Sequence, residues 1–419
     1  MAEKELINSI KEIISIESVE SSPKENMPFG LGVYNALNYF LNLAKSFGFK
    51  TNNYDNYIGE VIYGQGEEIA ILCHLDTVPA GKGWTYPPFT ATESNGKIYG
   101  RGAMDDKSAA IICLYALKKL KAEKFMPNKC VKLIVGCDEE SGWKCIEHYK
   151  KVAQMPETGF SPDADFPVIY AEKGIIHLDM YFDFDKSKVK YLIGGDAPNM
   201  VCDYAEAIFE IDDNKIKELC LKNENGKIIS EGKSSHGSTP QLGKNALLPI
   251  VKYLTDSSFI DKSAYNILFF DNFELKQLND ETGYLTLSPN VVKIEGDKIK
   301  FTIDIRYPAT KKLKEITDIL DKTGKTYKIL THQPPLLNDK ESPLIKTLLK
   351  VYNEVLGVDE KPIAIGGGTY ARALKHGVAF GPEFTNEVST VHQKDEFIKI
   401  DKIDLLFDIY FKAIKELIK

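Results

Sequence analysis

Several groupings of histidine and carboxylate in the 419-residue chain have the types and spacing to do metal chemistry. His74 and Asp76 stand two apart at the end of the apolar run Ile69–Cys73. In extended chain such residues project the same way, so one can ligate a metal while the other orients it. Asp105 and Asp106 follow the turn YGRGAM, where Gly100 and Gly102 permit a tight backbone. Paired aspartates there serve equally as caps of the next helix. Asp105 stands where a dinucleotide fingerprint needs its third glycine, so a Rossmann reading fails. Asp138, Glu139 and Glu140 follow the run VKLIV. Adjacent carboxylates repel one another unless cations are present, and neighbours point in different directions, which suits one ligand beside one free base. The alternative is a solvated helix N-terminus. Asp163 and Asp165 lie in SPDADF, and His392 lies among acidic residues in STVHQKDE. Together these fit a two-metal hydrolytic site with N/O ligands and a bridging carboxylate, the metals roughly 3.5–4 Å apart.

The elements that must position these residues fall into two textures. Through residue 170, β-rich runs such as Ile69–Cys73 and Val131–Val135 alternate with helical stretches at Asp106–Leu120 and Gly142–Lys151. Nearly continuous apolar strands separated by helices predict a mixed, largely parallel sheet flanked by helices, with ligands gathering outside the carboxyl ends of its strands. Between 174 and 336 alternating strands appear at His177–Phe182, Ala207–Ile211, Tyr284–Val292 and Lys298–Ile305, with helices at Asn245–Thr255 and Lys312–Thr323, an α+β texture. Past His332–Gln333–Pro334–Pro335 the α/β texture returns: a helix at Pro343–Leu356, a strand at Pro362–Ile365, a Gly-rich turn and a closing helix at Ile403–Ile418.

Composition narrows the function classes. With 60 acidic against 53 basic side chains and a net charge of −7, the chain lacks the basic balance of a nucleic-acid binder. Its 7 cysteines contain no CxxC pair, which leaves zinc knuckles and a disulfide framework unsupported. The N-terminal segment reads as an amphipathic surface helix. The apolar run Ala109–Leu117 falls far short of the roughly 20 residues a membrane span needs. A soluble, cytoplasmic protein is expected, with no membrane or nucleic-acid partner and a monomeric state favoured.

The order His74-x-Asp76, GRGAMDDK, DEESGWKC and HQKDE, supported by SPDADFP–IYAEKG, GKSSHGSTP, DIRYP and GGGTYAR, resembles the co-catalytic dinuclear metallopeptidases related to bacterial carboxypeptidases and aminoacylases. Within them it is most similar to the PepV- and Sapep-like dipeptidases. The resemblance implies a zinc-exopeptidase-like catalytic domain made of residues 1–173 and 337–419, with an α+β lid inserted at 174–336. It implies two divalent metal ions, zinc foremost with manganese or cobalt as alternatives. His74 and Asp163 resemble the ligands of one metal, Glu140 and His392 those of the other. Asp105 resembles the bridging carboxylate, joined to Asp106 by a cis peptide bond. Asp76 resembles the residue orienting His74, and Glu139 the general base acting on a water between the metals. In the lid, His236 resembles the histidine that stabilises the oxyanion, Arg306 the group gripping a substrate C-terminal carboxylate, and Asn199 its second partner.

The turn 366–370, with Gly367 and Thr369, can present backbone N–H groups to substrate, or serve as a plain strand-to-helix turn. The implied activity is removal of the N-terminal residue from an unblocked dipeptide. Its rivals are a carboxypeptidase or an N-acyl amino acid deacylase of the same family and, from another class, a silent binding protein on the same scaffold. Cys202 departs from the pattern, since relatives often carry proline there, and the lid is shorter than in the longest dipeptidases of the group. His148, His177, His332 and His376 are expected to be structural, and Cys145 non-catalytic.

Overall fold

A computed structural model describes residues 4–270 and 273–419. The chain divides into two compact units, one comprising Met1–Tyr170, Asn338–Ile363 and Thr369–Lys419, the other Ala171–Leu337 with Ala364–Gly368. The expectation that residues 337–419 lie wholly in the first domain needs a correction at 364–368. That stretch packs with the second unit, where the Ile365 carbonyl accepts the Lys173 N–H at 3.1 Å.

The first unit is built on a mixed sheet. Strands Cys130–Gly136, Glu68–His74, Thr158–Ser161 and His376–Ala379 run parallel in that spatial order. Ile58–Tyr63 and Lys50–Tyr54 extend one side antiparallel. Glu68–His74 is buried along almost its whole length, as expected of a strand covered on both faces. The register sets His74 level with Gly136, and Ile71 level with Phe160, so the chain leaves all three strands at one edge.

Helices flank this sheet. Lys107–Ala122 is buried continuously from Lys107 to Leu117 because Lys4–Ile14 and Ile400–Leu417 pack upon it. Pro343–Leu356 carries its own punctuation. Ser342 caps it through Oγ, Pro343 opens it, and Gly357 closes it at φ 68°. Among the described residues no helix is long and apolar enough to cross a membrane.

The second unit is α+β. Its eight-stranded sheet is antiparallel throughout, in the order Lys222–Glu224, Lys227–Glu231, Tyr204–Phe209, Val189–Gly194, Thr286–Glu295, Lys298–Tyr307, Gly174–Asp183 and Thr326–Gln333. Helices Leu247–Asp256 and Leu313–Lys322 contribute Leu247, Ile250, Leu254 and Ile316 to a core shared with Phe182, Phe301 and Ile303.

In the first unit Phe160 is fully buried, its ring 5.7 Å from Phe380 and stacked at 6.1 Å on Tyr410. Phe160→Ala removes that ring from a fully buried aromatic cluster, and is expected to cost about 3–5 kcal/mol. Urea denaturation followed by intrinsic fluorescence measures it, and a loss below about 1 kcal/mol would show that the neighbouring rings close the void.

Candidate metal centre

The carboxyl edge of the parallel strands gathers the acidic clusters and the two imidazoles. His74 ends its strand with Nε2 2.8 Å from Asp105 Oδ1 and 3.6 Å from Asp163 Oδ1. His392, held at φ 61°, places Nε2 3.0 Å from Asp105 Oδ2 and 3.1 Å from Glu140 Oε1. Asp105 therefore turns one oxygen to each imidazole, the disposition of a bridging carboxylate. Two overlapping sets, His74–Glu139–Asp163 and His74–Asp105–Glu140, bring their donor atoms within 4.8 Å of one another. The donors are imidazole nitrogens and carboxylate oxygens with no thiolate, which suits borderline or hard divalent ions. The Asp105–Asp106 peptide bond is cis.

His74 Nδ1 contacts the Asp76 carbonyl at 2.9 Å, with a carboxylate oxygen of the same residue 3.7 Å away. That carboxylate also accepts the Glu139 and Glu140 N–H groups at 3.1 and 3.0 Å. One residue thus ties the end of the His74 strand to the turn that carries the proposed base and a proposed ligand.

Asp138 leaves the acidic triplet and accepts the Gly142 and Lys144 N–H groups at 2.9 and 2.8 Å, which secures the start of helix Lys144–Val152. Asp106 occupies the N-cap position of Lys107–Ala122 without a capping hydrogen bond. Its Oδ2 accepts the His74 N–H at 3.2 Å. Asp165 stands outside both donor sets, its backbone paired with Glu383.

Two supports were not anticipated from sequence. Glu396, fully buried, pairs with Arg101 Nη1 at 2.6 Å and accepts the N–H groups of Gly102, Met104 and Asp105 at 3.1, 2.8 and 3.2 Å. It is the carboxylate that holds the turn delivering Asp105. The signal was present in HQKDE, where the last acidic residue stands four after His392, and in the arginine of GRG. Tyr370 is the second. Its ring meets the His74 ring edgewise at 6.2 Å, and its hydroxyl reaches Gly136, where a Cβ would lie only 1.9 Å away. That hydroxyl lies 3.1 Å from Cys145 Sγ, and burial pushes the Cys145 thiol up to about 12, which disfavours the thiolate.

Charge crowding governs protonation. Burial, then the neighbouring Asp163, raises Glu139 well above the usual carboxylate range. Burial and Asp105 raise Asp163 to about 7. Burial alone would lower the two imidazoles, yet the carboxylates around them raise His74 well above its ordinary value and His392 to about 11. These shifts favour protons on the cluster, so metal binding there competes with protonation.

Within the second unit, the residues expected in the lid converge. Met200 and His236 form a β-bridge, and the Gly237 N–H donates to the Asn199 carbonyl at 2.7 Å. Gly237 also packs on Asp304, where a Cβ would come within 2.4 Å of Oδ2. Asp304 takes Arg306 in a two-point pair, Nε at 2.7 Å and Nη2 at 2.8 Å, and Arg306 Nη1 faces the Gly366 carbonyl at 3.4 Å. His177 completes the network, Nε2 lying 3.2 Å from Asp304.

His236 Nδ1 lies 2.7 Å from Ser238 Oγ and 3.3 Å from the Ser238 backbone nitrogen. The Cys202 departure does not disturb this arrangement, because the Val201 N–H still donates to the Ser235 carbonyl at 2.9 Å. Gly367 lies in the same unit as Arg306. Thr369 falls in the first unit, where its Oγ1 caps the short helix Tyr370–Ala373.

Residues 70–416 match the profile of peptidase family M20/M25/M40. The chain is 38% identical over 453 aligned positions to a Bacillus subtilis protein named "Putative dipeptidase YtjP", covering 99% of this chain and 98% of that one. Among solved structures it resembles the M20 family metallo-carboxypeptidase Sso-CP2 from Sulfolobus solfataricus, with TM-score 0.61, 19% identity and 99% coverage of each chain. It also resembles human carnosine dipeptidase 1, with TM-score 0.60, 15% identity and coverage of 98% and 96%.

Two outcomes are expected. Asp163 is raised from 3.8 to about 7 and His392 from 6.5 to about 11, so above pH 4 these two groups hold more protons in the metal-free native state than in the unfolded chain. Their contribution to stability therefore falls as pH rises, while competing protons weaken metal binding at low pH. The gain in melting temperature on adding zinc or manganese should be larger at pH 8 than at pH 6, and an equal gain at both would contradict this competition with protons. Glu396→Gln keeps the shape but removes the charge facing Arg101 and the amides of the Asp105 turn. Metal affinity measured by chelator competition is expected to fall about 10- to 100-fold, the usual effect of losing such a support, with activity recovered in excess metal.

Proposed function

We propose, from the premise that the chain belongs to peptidase family M20/M25/M40, that it is a metal-dependent dipeptidase acting on unblocked dipeptides. The observation that carries the metal part is Asp105 turning one oxygen to each of two imidazoles in a set of nitrogen and oxygen donors. The name of the Bacillus subtilis relative supports the choice of dipeptides.

His74, Asp105, Glu140, Asp163 and His392 would hold two divalent ions, zinc foremost, with manganese and cobalt also suited. When bound, such ions polarise the scissile carbonyl and bring the ionisation of an attacking water down to about pH 7. Glu139 takes the proton of that water on its carboxylate and passes it to the leaving amine, a task for which its raised proton affinity fits it. His236 donates from Nε2 to the oxyanion. Arg306 binds the C-terminal carboxylate of the substrate through its Nη1 side, because Asp304 holds Nε and Nη2 and fixes the plane of the fork. Asn199 and the backbone of Gly367 and Thr369 complete the substrate contacts.

Glu139→Ala should lower kcat by at least about 10²-fold while metal content stays near normal, the scale of a lost general base. Turnover persisting above that level would remove Glu139 from the role. Arg306→Lys should act mainly on KM, since lysine offers no planar pair of donors to either Asp304 or substrate. Cleavage of amidated and free-carboxylate dipeptides at equal rates by the parent enzyme would end the carboxylate-clamp assignment. Turnover of N-acetyl amino acids in place of unblocked dipeptides would replace the dipeptidase reading with a deacylase.

A further inference from the structure

Asp304 and Arg306 stand two apart on strand Lys298–Tyr307, so both side chains leave the same face and their pair is local to one strand. A two-point pair fixes the guanidinium relative to the carboxylate, yet the carboxyl group itself turns about a soft Cβ–Cγ torsion. Left to itself, such a pair swings as one body. A contact from another strand stops that swing, and the register supplies one. His177 on Gly174–Asp183 stands directly opposite Asp304, and Thr331 on the edge strand Thr326–Gln333 stands directly opposite His177. Thr331, His177 and Asp304 form one row across three strands.

A β-bulge completes the row. Leu178 pairs with Ile329 and His177 with Thr331, so Leu330 is an extra, unpaired residue, left 43% exposed. Ile329 packs against the core of the unit. Under strict alternation Thr331 would follow it to that side, away from His177. The bulge turns Thr331 to the opposite face, where its Oγ1 lies 3.0 Å from His177 Nδ1. Bulges re-aim single side chains in this way beside functional sites. At the other end of the ring, Nε2 lies 3.2 Å from Asp304 Oδ2, the oxygen that also accepts from Arg306 Nη2. Burial would raise the Asp304 carboxyl, but the hydrogen bonds of His177 and Arg306 hold it below the ordinary carboxylate value. An ionised carboxylate only accepts, so Nε2 donates, and Nδ1 of the neutral ring is left to accept from the Thr331 hydroxyl.

We propose that His177 is a positioning residue: aimed by Thr331 and donating from Nε2 to Asp304, it fixes the Arg306 fork in the orientation that leaves Nη1 for a substrate carboxylate. The inference rests on the reading of Arg306 as the group that binds the C-terminal carboxylate of the substrate, and adds to it how the sheet keeps that fork oriented. His177 acts through Asp304, so its loss bears on the capture of substrate and not on the bond-breaking step.

Metal-reconstituted full-length protein is compared with His177→Leu and His177→Gln on Ala-Ala. His177→Leu removes both ring nitrogens and is expected to raise KM about 10-fold, the scale of one hydrogen bond to a charged group, with kcat within about threefold and metal content unchanged. His177→Gln keeps a donor near the Nε2 position and is expected to hold KM within about threefold of the parent. A fall in kcat with KM unchanged, or equal losses in the two variants, overturns the assignment. Thr331→Val added to His177→Leu should not deepen the loss, and additive losses would break the chain from Thr331. Hydrogen exchange of the Arg306 Nε–H, resolved through 15N among the three arginines of the chain, gives a readout independent of turnover. It should quicken about 10-fold in His177→Leu and stay near the parent rate in His177→Gln, and a rate within about twofold of the parent in His177→Leu overturns the proposal. Should His177→Leu fail to fold, Thr331→Val, at an exposed position, takes its place in the exchange measurement with the same outcomes. A parent that cleaves amidated and free dipeptides equally ends the carboxylate-clamp reading, while the exchange measurement still judges His177.

Discussion

Mutual repulsion among carboxylates at the carboxyl edge of one parallel sheet is the constraint on which the first unit depends. Asp105, Glu139, Glu140 and Asp163 are brought so close that their donor sets overlap at His74. Without cations such a cluster is tolerable only if protons are retained or imidazolium charge is shared, and both occur in the raised proton affinities of Asp163, His74 and His392. The fold holds an arrangement of donors suited to metal ions, and metal binding there is coupled to proton release.

Such crowding persists because the backbone is held from behind. Asp76 binds the amides of Glu139 and Glu140, Glu396 binds those of Gly102, Met104 and Asp105, and Tyr370 packs edgewise on His74. In each case a buried polar or aromatic group leaves its neighbour's donor atom aimed at the centre and takes no place in the donor sets itself. The Glu396–Arg101 pair is buried together with its hydrogen-bonded amides, the condition under which a buried ion pair is tolerated.

The second unit uses a similar device around a different charge. Asp304 sits among Arg306, His177 and the backbone of Gly237, so the loop of His236, the Asn199 segment and the fork of Arg306 share one anchor. Gly237 lies where any side chain would collide with that carboxylate. The GKSSHGSTP and DIRYP motifs, distant in sequence, are thus parts of one construction.

Much of the donor set was legible in the sequence because its members stand directly after buried apolar runs. Ile69–Cys73 and VKLIV announce their strands, and His74 and Glu139–Glu140 follow immediately. The polar edge strand Lys50–Tyr54 was not legible, since KTNNY has weak β propensity and exists only through its register with Ile58–Tyr63. Nor could spacing tell that Asp138 turns back to its helix while Glu140 turns inward, because adjacent residues of one turn differ only in which amides lie near them. The sequence by itself determined which residues lie at the strand ends, as hydrophobic periodicity is a local property. Only the tertiary structure decided which carboxylate supports and which is offered. That choice depends on amides and charges contributed by segments far apart in the chain, Glu396 against the Asp105 turn above all.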